Sequence, residues 1–123
     1  MYKVPLNENW GFFTGRELTQ LCIGLYDIQL HFNDGLSISI HSGDPGSSFN
    51  HKTKLVSSSE VKGMPGGAVT LVSLLGAIVQ RVVSENDTTL FIKFNNEEEL
   101  RIYDGSETYE SFVIDGPTGV IVI

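Results

Sequence analysis

Three histidines, a run of three glutamates and one cysteine are the residues of this chain whose chemistry could be put to use. His31, His41 and His51 invite a metal reading. No Cys-x-x-Cys or His-x-x-x-His spacing accompanies them, so no metal is expected. Glu97, Glu98 and Glu99 supply the paired carboxylates that a glycosidase needs. Such acids work from a cleft that separates their pKa values, whereas these fall at a hairpin tip, which water normally surrounds. Ser57-Ser-Ser-Glu60 lacks the Gly-x-Ser-x-Gly elbow of a serine nucleophile. Gly63-Met-Pro-Gly-Gly lacks the Gly-Lys-Ser/Thr ending of a phosphate loop, and Pro65 removes a backbone donor. Cys22, within the apolar run Leu21-Cys-Ile, reads as a buried small hydrophobe. The expectation is a protein without catalytic residues, metal or cofactor, which acts by binding.

The elements that position these residues are written twice. Gly15-Arg-Glu-Leu-Thr-Gln-Leu opens one unit and Gly76-Ala-Ile-Val-Gln-Arg-Val the other. Each runs on into alternating apolar residues, Ile28, Leu30 and Phe32 in the first and Leu90, Ile92 and Phe94 in the second. Gly15 to Phe32 is 17 positions and Gly76 to Phe94 is 18, so one insertion aligns the copies. The period of two predicts strands. In the first copy Leu36, Ile38 and Ile40 alternate with Ser37, Ser39 and His41. A three-residue loop, Asn33-Asp34-Gly35, pairs Phe32 with Leu36, Leu30 with Ile38 and Ile28 with Ile40, keeping one face apolar. On the other face His31 then opposes Ser37, and Asp27 and His41 form a surface pair.

The same rule in the second copy pairs Phe94 with Leu100 and Ile92 with Ile102, leaving Asn95 to Glu99 as a longer acidic tip. Lys93 then faces Arg101, and Phe91 faces Tyr103, on the outer side. An aromatic pair there implies a covering second layer or a partner. Short strands are expected at Glu17–Ile23 and Ile78–Ser84. A last hairpin is expected from Tyr109–Ile114 to Val120–Ile123, turned by Asp115-Gly-Pro-Thr-Gly. Within the connection 42–75, Thr53–Ser57 reads as a short edge strand and residues 68–75 as a brief helix ending at Gly76. The architecture predicted is mainly β, an antiparallel sandwich or partly closed barrel of about eight strands. It is a single domain, residues 1–123, built from a duplicated β-meander (repeats 15–41 and 76–103, then the hairpin 109–123) with at most one short helix.

Net charge is −7, all of it from residues 85–123, where nine acids face only Lys93 and Arg101; residues 1–84 are balanced. Such a balance argues against nucleic acid as partner and favours a basic protein. One cysteine forms no internal disulfide, and neither an apolar leader nor an apolar run long enough for a membrane is evident. The expected location is the cytoplasm, with no membrane partner and a free form that is monomer or dimer.

The repeats resemble a group of small bacterial duplicated β-hairpin proteins of unassigned function, through Gly15–Ile40, Gly76–Tyr103 and the Asp115-Gly-Pro-Thr-Gly turn. The second copy departs from their Asp-Gly turn with Asn95-Asn-Glu-Glu-Glu. In size and acidity the chain resembles the immunity proteins of contact-dependent inhibition and related polymorphic toxin systems. That resemblance implies binding to a cognate basic toxin domain, many of which are nucleases. Glu97, Glu98, Glu99, Asp104, Glu107 and Glu110 would supply steering and contacts to basic residues, and Tyr103 and Tyr109 the aromatic anchors. The alternatives are a module that self-associates through an edge strand and a small-ligand barrel with a pocket lined by Phe12, Phe32 and Phe94.

Overall fold

Alternating apolar residues become strands because that pattern buries one face of a pleated ribbon. A computed structural model describes residues 10–24, 27–41, 49–52, 60–62, 71–103, 112–116 and 119–122. Among the described residues there are ten strands: β1 (Leu18–Ile23), β2 (Asp27–Phe32), β3 (Ser37–His41), β4 (Phe49–Lys52), β5 (Glu60–Lys62), β6 (Val79–Asn86), β7 (Thr89–Phe94), β8 (Glu99–Tyr103), β9 (Phe112–Gly116) and β10 (Gly119–Val122). They form two five-stranded antiparallel sheets, ordered β1-β2-β3-β9-β10 and β5-β4-β8-β7-β6. Ile28, Leu30, Phe32, Ile38 and Ile40 of the first and Leu90, Ile92, Phe94, Leu100 and Ile102 of the second share one buried core. This is the expected antiparallel sandwich. Among the described residues the two sheets do not close into a barrel, although the Glu17–Ile78 bridge links them on one side. The strands beyond eight are β4 and β5, supplied by the connection.

Each β-meander crosses to the other sheet once it is complete. After β3 the chain adds β4 to β8, and after β8 it adds β9 to β3. The two units therefore exchange hairpins, and neither sheet is complete without strands from both. The registers match throughout: Ile40 opposite Phe112 corresponds to Ile102 opposite Phe49, and Ser37 opposite Asp115 to Glu99 opposite Lys52.

A saddle of duplicated hydrogen bonds joins the units. Gly15 N–H donates to Val79 O at 2.9 Å and Gly76 N–H to Leu18 O at 2.8 Å. Leu18 N–H reaches Ala77 O, and Val79 N–H reaches Arg16 O. Gly15 and Gly76 hold φ of +86° and +85°, a left-handed conformation that glycine adopts without a Cβ penalty. Asn33 Oδ1 accepts from Glu17 N–H, and Asn95 Oδ1 accepts from Ile78 N–H in the same way. Both asparagines are thus fixed by backbone satisfaction.

Before each saddle glycine lies a single 3-10 turn, Gly11–Phe13 in the first unit and 71–74 in the second. That turn stands where a brief α-helix was expected at 68–75, of which 68–70 lie outside the described residues. Trp10, Phe13, Leu71 and Leu74 plug the core there. Trp10 Nε1 donates to Ser84 Oγ at 2.9 Å, which satisfies a nearly buried indole. Phe32 and Phe94 are closed into the core, and Phe12 stacks on Phe13 at 4.8 Å. The expected edge strand at Thr53–Ser57 lies outside the described residues.

The first hairpin has the predicted register, with Phe32 N–H bonded to Leu36 O and Gly35 at φ +80°. The second does not. Phe94 N–H bonds to Glu98 O, and Ile92 opposes Leu100, two residues from expectation. Its loop is again three residues, Asn95 to Glu97, and Glu97 takes a left-handed φ of +69°. The apolar-face rule failed because Glu98 occupies an inward position, the counterpart of Leu36. The outer pairs change accordingly: Lys93 opposes Glu99, Phe91 opposes Arg101, and Thr89 opposes Tyr103. The last hairpin is tighter than predicted, with Asp115 and Gly116 in β9 and Gly119 in β10. Tyr109 to Ser111 lie outside the described residues.

Candidate protein-binding surface

Because the units superpose by register, each outward position of one sheet has a mate in the other. Gln20 corresponds to Arg81, Gln29 to Phe91, His31 to Lys93, Ser37 to Glu99, Ser39 to Arg101 and His41 to Tyr103. Within the described parts of the two meanders, β1–β3 and β6–β8 with their tips, the inward positions keep their apolar character, with Ser84 and Glu98 as the two polar departures. The outer faces have therefore diverged in chemistry on a shared scaffold. The first is mostly uncharged and polar, with Asp27 and Asp115 as its acids; the second is charged and aromatic.

The first outer face contains His31 and His41; His51, the third histidine, stands in β4 of the second sheet. His31 Nε2 lies 3.0 Å from Gln29 Oε1, and Gln29 Nε2 reaches Asp27 Oδ2 at 3.5 Å. Asp27 opposes His41 as expected. Among the described residues no group of three His, Cys, Asp or Glu side chains is placed to hold a metal. Cys22 is half-buried and opposes Gln29 on this outer face, so it is not the core residue its apolar neighbours implied. The strand alternation sends Leu21 inward and Cys22 outward.

The second outer face is built around Phe91. Arg101 opposes it and lays its guanidinium 4.6 Å from the ring centroid, with that of Arg81 at 5.8 Å. Together they leave Phe91 only 5% exposed. The cover is thus a pair of guanidinium groups and not a second aromatic. Arg101 is itself held. Its Nε donates to Glu85 Oε1 at 2.7 Å, its Nη2 to Glu85 Oε2 at 3.2 Å and its Nη1 to Glu99 Oε1 at 3.4 Å. The hydrogen bond to Glu85 raises the Arg101 pKa above its ordinary value, against an opposing desolvation. The folded form therefore gains from this charge at any pH below the unfolded arginine value, and the gain is lost only as pH rises through the folded one.

Arg101→Ala is expected to lower unfolding stability by about 1–2 kcal/mol, since it uncovers Phe91 and strands two partly exposed carboxylates. Arg101→Lys should recover less than half of that, because a lysine cannot make the two-pronged contact. Urea unfolding measures both. A loss below about 0.5 kcal/mol for the alanine variant would reduce the network to ordinary solvated surface.

The predicted partner-binding residues are dispersed by this geometry. Glu97 is exposed at the β7–β8 tip. Glu98 is buried at 6% exposure and accepts from Ser73 Oγ at 2.9 Å and Asn96 Nδ2 at 2.8 Å. It is a structural part of the tip and not a solvated contact. Glu99 is engaged by Arg101. Tyr103, half-buried, closes the opposite end of β8, beside the β6–β7 turn that carries exposed Asp87. At about 3.4 Å per residue, Glu99 and Tyr103 stand roughly 13 Å apart, so the tip and the tyrosine form two patches. Asp104, Glu107, Tyr109 and Glu110 lie outside the described residues.

Charge is likewise redistributed. The described side chains on and beside this face are Arg81, Lys93 and Arg101 against Glu85 and Glu99, so the face is not itself acidic. Asp87 and Glu97, at the two ends of the β6–β7–β8 meander, are exposed acids. Sequence reading missed the Arg81–Phe91–Arg101 stack because it depends on the hairpin register. Matching Asn95 to Asn33 would have given that register. Among the described residues no helix is long and apolar enough to cross a membrane. Comparison of the chain with protein-family models, with curated proteins and with solved structures gives no match.

Proposed function

We propose that the chain is an immunity-type inhibitor that binds a basic protein toxin domain through the second unit. The observation that carries this reading is the separation of charge from the sheet face. Cations stand in the middle, around Phe91, while exposed acids stand at the ends. The acid-rich stretch Asp104 to Glu110 follows directly in sequence from Tyr103. A basic partner approaching this end is steered by the excess of negative charge. Tyr103 and the rigid Phe91–Arg101 plane offer aromatic and guanidinium anchors of the kind that dominate protein interfaces. The filled core around Phe32 and Phe94 supports a surface binder over a small-ligand barrel.

Affinity capture from the lysate of the source organism, at low and at high salt, tests this. The expected catch is one basic protein in stoichiometric amount, whose toxic activity the chain suppresses. The double variant Asp87→Asn, Glu97→Gln should slow its association several-fold at low salt, with little change at high salt. Tyr103→Ala should speed its release. An on-rate indifferent to both salt and the double variant would remove the acidic ends from the interface.

A further inference from the structure

The sandwich has four sheet edges, and three of them are guarded. β1 is irregular between Leu18 and Gln20, and its start is tied to β6 through the Glu17–Ile78 bridge. β6 is irregular twice and carries Arg81 and Glu85. β5 has only three residues, with Glu60 and Lys62 at its ends. Bulges, charges and shortness are the means by which sheet edges avoid pairing with other chains. The edge formed by β10 has none of the first two. Its residues are Gly-Val-Ile-Val, uncharged, without proline, and in unbroken register with β9. Among the described residues no strand pairs with its far side. Val120, on the outer face, is 61% exposed, the most of any large apolar residue described.

We infer that β10 is a docking edge for β10 of a second copy of this chain, paired antiparallel about a two-fold axis. Residues directly opposite in such a pair share a face, so the register must match parity. Placing Ile121 opposite its own copy meets that condition and sets Val120 opposite Val122 in register. The inner faces of both first sheets then continue into one another, giving ten strands, a size that open sheets reach. Each half of the contact is the same patch, as a two-fold interface requires. The acidity of the chain does not oppose it locally. β10 is neutral, and the nearest acid across the sheet, Asp115 of β9, would stand three strand spacings from its mate. That is roughly 14 Å, beyond the ~8 Å screening length of physiological salt. The contact is small, so the association is weak and concentration-dependent. It uses an edge of the first sheet, whereas the proposed toxin contact uses the outer face and ends of β6–β7–β8 in the second.

Sedimentation equilibrium of the full chain, from about 1 to about 500 μM, tests the inference. The apparent mass is expected to rise toward twice the monomer value. Val120→Lys should hold the chain at monomer mass throughout, with its unfolding curve unchanged because position 120 is exposed. Hydrogen exchange on the unaltered chain gives a reading that needs no variant: the amides of Gly119–Val122 should gain protection, at least several-fold, between dilute and concentrated samples. Monomer mass at the highest concentration overturns the inference. So does a dimer that survives in folded Val120→Lys, or β10 amides whose exchange does not change with concentration.

Discussion

Phe112→Ala is expected to lower the free energy of unfolding by about 3–5 kcal/mol, the range for removing a fully buried phenylalanine. Phe112 has no exposed surface and opposes Ile40, so its ring lies in the core that the two sheets share. It also heads β9, the strand by which the second unit completes the sheet of the first. The alanine variant therefore leaves a cavity where the exchanged hairpin enters, and the surrounding strands cannot collapse into it without losing the β3–β9 register. Since domains of this size are stable by ~5–15 kcal/mol, the variant stands near the edge of folding. Urea unfolding followed by circular dichroism measures the loss. A single transition with an unchanged slope would show that the exchanged hairpin unfolds with the rest. A loss under about 1 kcal/mol, or a separate early transition, would mean that β9 and β10 are loosely appended.

The second large effect concerns Glu98. Its inward position is the counterpart of Leu36, and its hydroxyl donor Ser73 is the counterpart of Phe12. In the first unit Phe12 and Leu36 meet at Gly116, where a Cβ would lie 3.4 and 3.5 Å from their side chains. An apolar pair in one unit is thus a hydrogen-bonded polar pair in the other. Glu98→Ala removes charge-assisted bonds from Ser73 and Asn96 and should destabilise by about 1–3 kcal/mol. Glu98→Leu loses the same bonds but restores apolar burial worth about 1.5–3 kcal/mol, so it should fall close to the parent. Ser73 and Asn96 are exposed, and water can satisfy them once the carboxylate is gone. The pair of variants, compared by denaturant midpoint, separates space from hydrogen bonding. Equal losses in both would show that this site needs its carboxylate and not merely a filled volume.

Glu98 is also where the sequence reading went astray. Three adjacent glutamates read as a solvated tip, because a polar residue at an inward position conflicts with the rule that fixed the first hairpin. That rule holds only where local alternation and burial agree, as they do for Ile28, Leu30, Phe32, Leu36, Ile38 and Ile40. At Glu98 the hydroxyl of Ser73, 25 positions away, satisfies the carboxylate. No pattern within the hairpin contains that information. The two-residue slip then carried through to every outer pair, and the Phe91–Arg101 plane went unseen.

Sequence alone determined the strands of the two meanders, their duplication and the first hairpin, but not β4 and β5, because side-chain alternation and left-handed turn residues act over neighbouring positions. It determined that the net charge of −7 belongs to the second half. Only the tertiary structure decided that the units exchange hairpins. That choice depends on completing two sheets at once through Ile40 with Phe112 and Ile102 with Phe49, and on closing the glycine saddle between Gly15 and Gly76. It also decided which acids are tied down from afar, since Arg101 reaches Glu85 and Ser73 reaches Glu98 across the fold. Pairing between distant residues is a property of the packed whole, and local pattern does not record it.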